Sequence, residues 1–192
     1  MDVLNSLYDK LTFGVRDGKD DFHTMIFSNF QNNKVESRCV VLRHFDRNKR
    51  LLLFNTDIRS PKVKAIRSNP ATHCLFYHFR EKIQLRIETC SSVHYNDPVH
   101  EDAWEKATLS SRKCYLSKYK PSQKIRESGD GLPSHLLARI PSAEESQFGK
   151  ANFAVIVNEI ISIDWLYLSS NGHKRALYNF DRGQIRKTWI AP

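Results

Sequence analysis

Apolar positions along this chain change their period several times, and each change marks an element. Leu4, Leu7, Tyr8 and Leu11 recur at helical spacing and predict a short amphipathic helix over residues 3–12. Gly14 to Asp21 is a polar break, after which Phe22–Phe30 alternates as a first strand. Gln31-Asn32-Asn33-Lys34 reads as a turn. The runs Arg38–Phe45 and Leu51–Thr56 then predict two strands parted by Asp46-Arg47-Asn48-Lys49-Arg50. Ala71–Phe79 and Lys82–Thr89 repeat the arrangement around Arg80-Glu81. Between the pairs, Ser60 suits an N-cap and Pro61 the first helical position. Val63 and Ile66 follow at helical spacing, and Asn69-Pro70 stops the helix.

The second half is less regular. Asp97-Pro98 predicts a capped helix with Val99, Ala103 and Ala107 on one stripe and Trp104 beside it as a core residue. Lys113–Tyr119 reads as a further helical piece, and Lys120–Pro133 as the longest loop, of a length often used for lids. Ser142-Ala143-Glu144-Glu145 matches a capping box. Phe153–Trp165, continuing to Leu168, is a long β-rich run with a bend expected near Asn158-Glu159. Asn171-Gly172 signals a hairpin, His173–Phe180 returns, and Asp181-Arg182-Gly183 turns into a last strand, Gln184–Ala191. Many short strands with few helices predict a mainly β (β+α) fold. The expected architecture is a closed or split antiparallel barrel with short flanking helices, one domain over residues 1–192.

Strand parity adds geometry. Gln84, Arg86 and Glu88 share one face and Ile83, Leu85 and Ile87 the other, so the apolar set should be core and the polar set should line a cleft or interface. Arg38 and Arg43 fall on opposite faces of a flat strand. For both to reach one ligand, the strand must bulge or end between them, or the ligand must lie across its end.

Composition narrows the class. At 40% apolar and 27% charged the chain is ordinary for a soluble protein, and no apolar run approaches membrane-spanning length. Met1-Asp2-Val3-Leu4-Asn5 lacks a signal-peptide pattern, which leaves a cytoplasmic location as the expectation. Cys39, Cys74, Cys90 and Cys114 form no C-x-x-C pair, and three of them lie in or beside strand-like runs where a buried, inert thiol is expected. The eight histidines show no ligand spacing, so no metal is expected. The net charge of +9 fits either nucleic acid or anionic small molecules, but it is spread along the chain without a block of like charge. The Ser60 helix start, with Arg59 and Lys62 beside it, suits a phosphate; a solvated basic helix accounts for the same residues.

Taken together, Arg38-Cys39-Val40-Val41-Leu42-Arg43, Phe54-Asn55-Thr56-Asp57, Arg59-Ser60-Pro61-Lys62, Asn69-Pro70 and Gln84-Leu85-Arg86-Ile87 resemble the FMN-binding core of the pyridoxamine 5′-phosphate oxidase-like proteins. The ending Trp189-Ile190-Ala191-Pro192 is similar to that family's terminus. The resemblance implies an FMN-binding split β-barrel that pairs into a homodimer, with each flavin site drawing on two chains. It implies that Arg38, Cys39, Val40, Val41, Leu42 and Arg43 border the flavin, that Asn55 and Thr56 adjoin it, and that Ser60 and Lys62, helped by Arg59, hold its phosphate. Gln84 would approach the ring. Where the family usually has Ser-Arg-Lys this chain has Ser60-Pro61-Lys62, and Arg59 is the residue that would restore the lost charge.

The substrate side departs from the true oxidases. Their Arg-x-His hairpin reads Gly172-His173-Lys174-Arg175-Ala176-Leu177 here. Their Tyr, Arg-Pro and Ser set is missing, the nearest residues being Trp104 and Arg112. Arg112, His173 and Arg175 are therefore the candidate substrate residues, in a chain resembling the uncharacterised FMN-binding branch. The implied function is an FMN-dependent oxidoreductase acting on a small, perhaps phosphorylated, molecule. A flavin-binding module without turnover is the alternative. A basic nucleic-acid-binding barrel stacking bases on Phe76-Tyr77-His78-Phe79 is disfavoured, because about half of four consecutive strand residues face inward.

Overall fold

A computed structural model describes residues 3–181 and 183–192. In chain order the elements are α1 (Val3–Arg16), β1 (Thr24–Gln31), β2 (Lys34–Val41), β3 (His44–Asp46), β4 (Leu51–Asp57), α2 (Pro61–Ser68), β5 (Ala71–His78) and β6 (Ile83–His94). Then come α3 (Pro98–Lys106), α4 (Leu109–Arg112), α5 (Ala143–Gln147), β7 (Phe153–Tyr167), β8 (Lys174–Asp181) and β9 (Gln184–Trp189). The strands form one antiparallel sheet that is not closed, ordered β2-β1-β5-β6-β7-β4-β3, with β8 on β7 and β9 on β8. Arg182, in the expected turn before β9, lies outside the described residues.

The chain divides into two compact units. One comprises Met1–Phe54, Ala65–Ser92 and Val157–Pro192, the other Asn55–Lys64 and Val93–Ile156. In the first, inward residues of β1, β4, β5 and β6 build the core. Phe27 packs on Phe54 at 4.8 Å between ring centroids and Phe22 on Phe76 at 5.3 Å. The predicted parity of β6 is observed, with Ile83, Leu85 and Ile87 buried and Gln84, Arg86 and Glu88 on the other face. In the second unit Phe153 is the hub, with His100, Trp104 and Tyr115 rings 5.5, 5.1 and 5.0 Å away.

Several boundaries differ from the sequence reading, each for a physical reason. α1 runs on through Gly14 to Arg16, because the glycine lets the helix lie against the backbone of Phe22; a Cβ there would sit 2.7 Å from the Phe22 carbonyl carbon. The first strand begins at Thr24, since Asp21–His23 make a 3₁₀ turn capped by the Asp20 side chain. On α3 the buried pair is His100 and Trp104, four residues apart, while Val99, Ala103 and Ala107 are only half-buried. β7 is continuous in hydrogen bonding through the expected break at Asn158-Glu159. Asn158 is fully buried within it and donates to the Leu52 carbonyl at 2.7 Å, while Ser91 Oγ donates to its Oδ1 at 2.7 Å. A polar residue in the run marked a satisfied buried amide rather than a break. Of the three strand cysteines only Cys74 is buried; Cys39 and Cys90 are exposed.

Candidate functional site

The turn from β4 into α2 gathers the polar residues of greatest interest. β4 alternates, so Thr56 turns inward and is 5% exposed while Asn55 is half-buried. Asp57 follows and folds the chain back: its Oδ1 accepts the Arg59 N–H at 2.8 Å, and its carbonyl accepts the Ser60 N–H at 3.0 Å. The Ile58 N–H donates to the Asn152 carbonyl at 2.8 Å, and Asn152 Nδ2 to the Tyr115 carbonyl at 2.8 Å, which pins the turn. Pro61 then starts α2 with φ preset for a helix.

This turn separates two cations that looked equivalent in the sequence. Arg59 is clamped by Asp57, with Nη2 2.6 Å from Oδ2 and Nε 3.0 Å from Oδ1, and Nη2 also donates to the Ser117 carbonyl at 3.1 Å. The hydrogen bonds that Arg59 donates to Asp57 raise the Arg59 pKa further. The charge expected to compensate for Pro61 is thus already answered by a carboxylate. Lys62 is held differently. Its Nζ donates to Thr56 Oγ1 at 2.9 Å and to Ser60 Oγ at 3.0 Å. Thr56 and Ser60 are both buried, so one ammonium and two hydroxyls converge at a helix start. That donor set fits a phosphate.

Arg38 to Arg43 and Gln84 belong to the other unit. β2 ends at Val41 and β3 begins at His44, so the strand stops between the two arginines. Arg38 pairs in register with Phe27, stands over its ring at 5.6 Å and donates to Asn29 Oδ1. Burial lowers its pKa, against a smaller raising effect of Glu36. Cys39 is exposed, Val40 and Val41 are half-buried, and Leu42 is fully buried with its N–H bonded to the His23 carbonyl. Arg43 is exposed and its N–H donates to the Leu53 carbonyl at 2.8 Å. Gln84 is half-buried on the polar face of β6.

The three candidate substrate residues are engaged within the chain. Arg112 donates twice to the Trp104 carbonyl, at 2.7 and 3.1 Å, and lies over the indole at 4.6 Å, closing the C-terminal end of α3. His173 Nδ1 accepts the Ser169 N–H at 3.1 Å across the β7–β8 turn. Arg175 is bidentate on Asp164, with Nε–Oδ1 2.9 Å and Nη2–Oδ2 2.7 Å. Arg86 donates to the same Asp164 carboxylate from β6. These contacts hold Asp164 below the usual carboxylate range, the Arg175 hydrogen bond first, against the opposing effect of burial. Asp57 and Arg86 lie in the motifs that carry the resemblance without a role of their own, and Asp164 lies in none. The Asp57-Ile58-Arg59 spacing carried a local signal for the first pair, whereas Asp164 meets its arginines only through strand pairing.

Residues 9–94 match a family model described as pyridoxamine 5′-phosphate oxidase, FMN-binding domain. Over that segment the chain is similar to an FMN-binding domain family. The turn holding Lys62, the run Arg38–Arg43 and Gln84 all fall inside the match. No curated protein sequence matches the chain. Among solved structures, a pyridoxamine 5′-phosphate oxidase-related, FMN binding protein from Nostoc punctiforme is 22% identical, with TM-score 0.76 over 98% of this chain and 96% of that one. PhzG from Burkholderia lata, in complex with tetrahydrophenazine-1-carboxylic acid, is 12% identical, with TM-score 0.72 over 98% and 92%. General Stress Protein 26 from Bacillus anthracis is 18% identical, with TM-score 0.50 over 83% and 92%. At these identities the likeness is one of fold, the split barrel expected from the sequence. Among the described residues no helix is long and apolar enough to cross a membrane.

Proposed function

We propose that the protein is an FMN-dependent oxidoreductase of the pyridoxamine 5′-phosphate oxidase-like kind, acting on a small molecule. The observation that carries the flavin assignment is Lys62 Nζ set between the buried hydroxyls of Thr56 and Ser60 at the start of α2, inside the matched segment. These three residues would hold the cofactor phosphate. The run Arg38–Arg43 and Gln84 keep the ring-side roles that the resemblance implies, each open to test by separate substitution. Bound flavin supplies hydride transfer, and the protein supplies position, charge and exclusion of water. Asn55 would adjoin the cofactor. Arg59, neutralised by Asp57, serves to shape the turn.

A homodimer belongs to this proposal. It is supported by the paired Phe30 and Val35 on β1 and β2, 45% and 70% exposed, apolar groups that a second copy would cover. A cytoplasmic location is likewise proposed. The second reading, a flavin-binding module without turnover, is favoured by one fact: Arg112, His173 and Arg175 all spend polar atoms on intrachain partners. For the same reason the protein should be a poor pyridoxamine 5′-phosphate oxidase.

Purified protein is expected to be yellow, to release FMN, and to prefer FMN to riboflavin when the apoprotein is titrated with each. Equal affinity for riboflavin would remove the phosphate assignment. Reduction of the bound flavin by NAD(P)H, or turnover of an amine with peroxide release, separates the oxidoreductase from the inert module. Pyridoxamine phosphate turned over at about 10⁴ M⁻¹s⁻¹ or better in kcat/KM would overturn the substrate argument.

A further inference from the structure

The turn that carries the phosphate cradle and the long loop, far apart in sequence, are joined through one side chain. Arg59 closes on Asp57 with Nη2–Oδ2 2.6 Å, and the same Nη2 donates to the Ser117 carbonyl at 3.1 Å. Ser117 is also where the loop shuts. Its Oγ accepts the Tyr119 N–H at 3.1 Å and donates to the Asp130 carbonyl at 2.6 Å, while the Lys118 N–H donates to the Gly131 carbonyl at 3.0 Å. Both ends of residues 118–131 therefore meet beside the carbonyl that Arg59 holds. A second link runs next to it, from the Ile58 N–H to the Asn152 carbonyl and from Asn152 Nδ2 to the Tyr115 carbonyl, each 2.8 Å.

The two sides of this junction differ in how they are held. The Asp57 and Arg59 side chains are largely shielded from solvent, which strengthens the pair between them. Residues Ser122 to Asp130, by contrast, are exposed throughout, Ile125 included. A segment that buries so little apolar surface is ordered by its few anchors, and Ser117 is the anchor that Arg59 reaches. The cradle lies on the other side of the same pair. Ser60 takes its place from Asp57, whose carbonyl accepts the Ser60 N–H at 3.0 Å, and Lys62 reaches back to Ser60 Oγ. Asp57 and Ser117 both line the cavity of about 640 Å³ that the loop walls. An anion gripped by Ser60 and Lys62 would fix the turn, and a fixed turn holds Arg59 toward Ser117.

We propose, on the FMN reading of the cradle, that Arg59 is a positioning residue coupling the loop of residues 117–131 to the flavin phosphate. Phosphate at Ser60 and Lys62 tightens the loop, and by reciprocity a loosened loop weakens the phosphate. Trypsin reports the state of the loop at Lys124 and Arg126, both exposed, with the fragments identified by mass. Apoprotein, FMN-saturated protein and riboflavin-saturated protein are digested in parallel, and the two flavin affinities are titrated separately. FMN should slow cleavage at these sites about fivefold or more, and riboflavin should not. Arg59→Gln should erase that protection at saturating FMN. Arg59→Lys keeps a cation beside Asp57 without the fork that spans both partners, so it should lose the protection yet still prefer FMN to riboflavin. Ser117→Ala loosens the loop with Arg59 intact, and should weaken FMN about fivefold with riboflavin unchanged. Protection that survives Arg59→Gln, or a wild-type loop cut equally fast with and without bound FMN, overturns the coupling alone, since FMN would still outbind riboflavin. Equal binding of the two flavins by wild-type protein removes the phosphate assignment and the coupling with it.

Discussion

Lys62 and Arg175 are both cations that the sequence marked for ligand binding, and the fold treats them in opposite ways. Lys62 donates to two hydroxyls, those of Thr56 and Ser60, which orient its ammonium. Arg175 is locked on a carboxylate that it shares with Arg86. A hydroxyl partner can hand the cation over to an incoming phosphate at small cost, since both partners remain able to hydrogen bond. A carboxylate partner does so at greater cost, because Asp164, 8% exposed, would lose one of its two arginines. On the function proposed above, the first arrangement would bind a ligand, while the second ties β6, β7 and β8 together.

The largest effect is expected at the cradle. Lys62→Ala should weaken FMN by about 1.5–3 kcal/mol, roughly ten- to hundredfold, measured by titrating apoprotein, while riboflavin affinity changes little. An equal loss for both flavins would place Lys62 in the scaffold and erase the contrast. At the hairpin, Asp164→Asn should cost about 1–3 kcal/mol of stability by urea unfolding, moderated because Arg86 is 46% and Arg175 21% exposed at the side chain. FMN affinity should not follow it.

Arg175→Gln combined with Asp164→Asn sharpens the comparison, because the two losses should fall short of additive by about 0.5 kcal/mol or more. Full additivity would mean that the pair does not act as a unit. The pH dependence follows from the sign of the Asp164 shift. Its folded pKa lies below the ordinary 3.8, so the contribution is complete above that value and is lost as pH falls through the lower, folded value. Wild-type protein should therefore lose more stability below about pH 4 than Asp164→Asn does. The smallest effect is chemical. Cys39, Cys90 and Cys114 should react with a water-soluble thiol reagent in the native state, and Cys74 only on unfolding, since burial pushes its thiol up to about 12.

Much of the fold was legible before any coordinates. Alternation in β6 named its buried residues, because a strand has only two faces and one must be apolar. Ser142 with Glu145 announced α5, and Asn171-Gly172 its hairpin, because caps and tight turns depend on neighbours a few residues away. Ser60 and Lys62 were read together for the same reason, two residues apart at a helix start, whereas Thr56 joins them only in the structure.

What escaped was decided by partners distant in sequence. Gly14 continued a helix because Phe22 packs on it, and Asn158 sat unbroken in β7 because Leu52 and Ser91 meet its amide. Arg112 donates to the Trp104 carbonyl and Arg59 to Asp57, partners that the sequence reading did not foresee. A sequence states which groups carry charge. Which of those charges remain available depends on who stands opposite across strands and loops, and electrostatic and hydrogen-bonding partners at a few ångströms are set by tertiary packing alone.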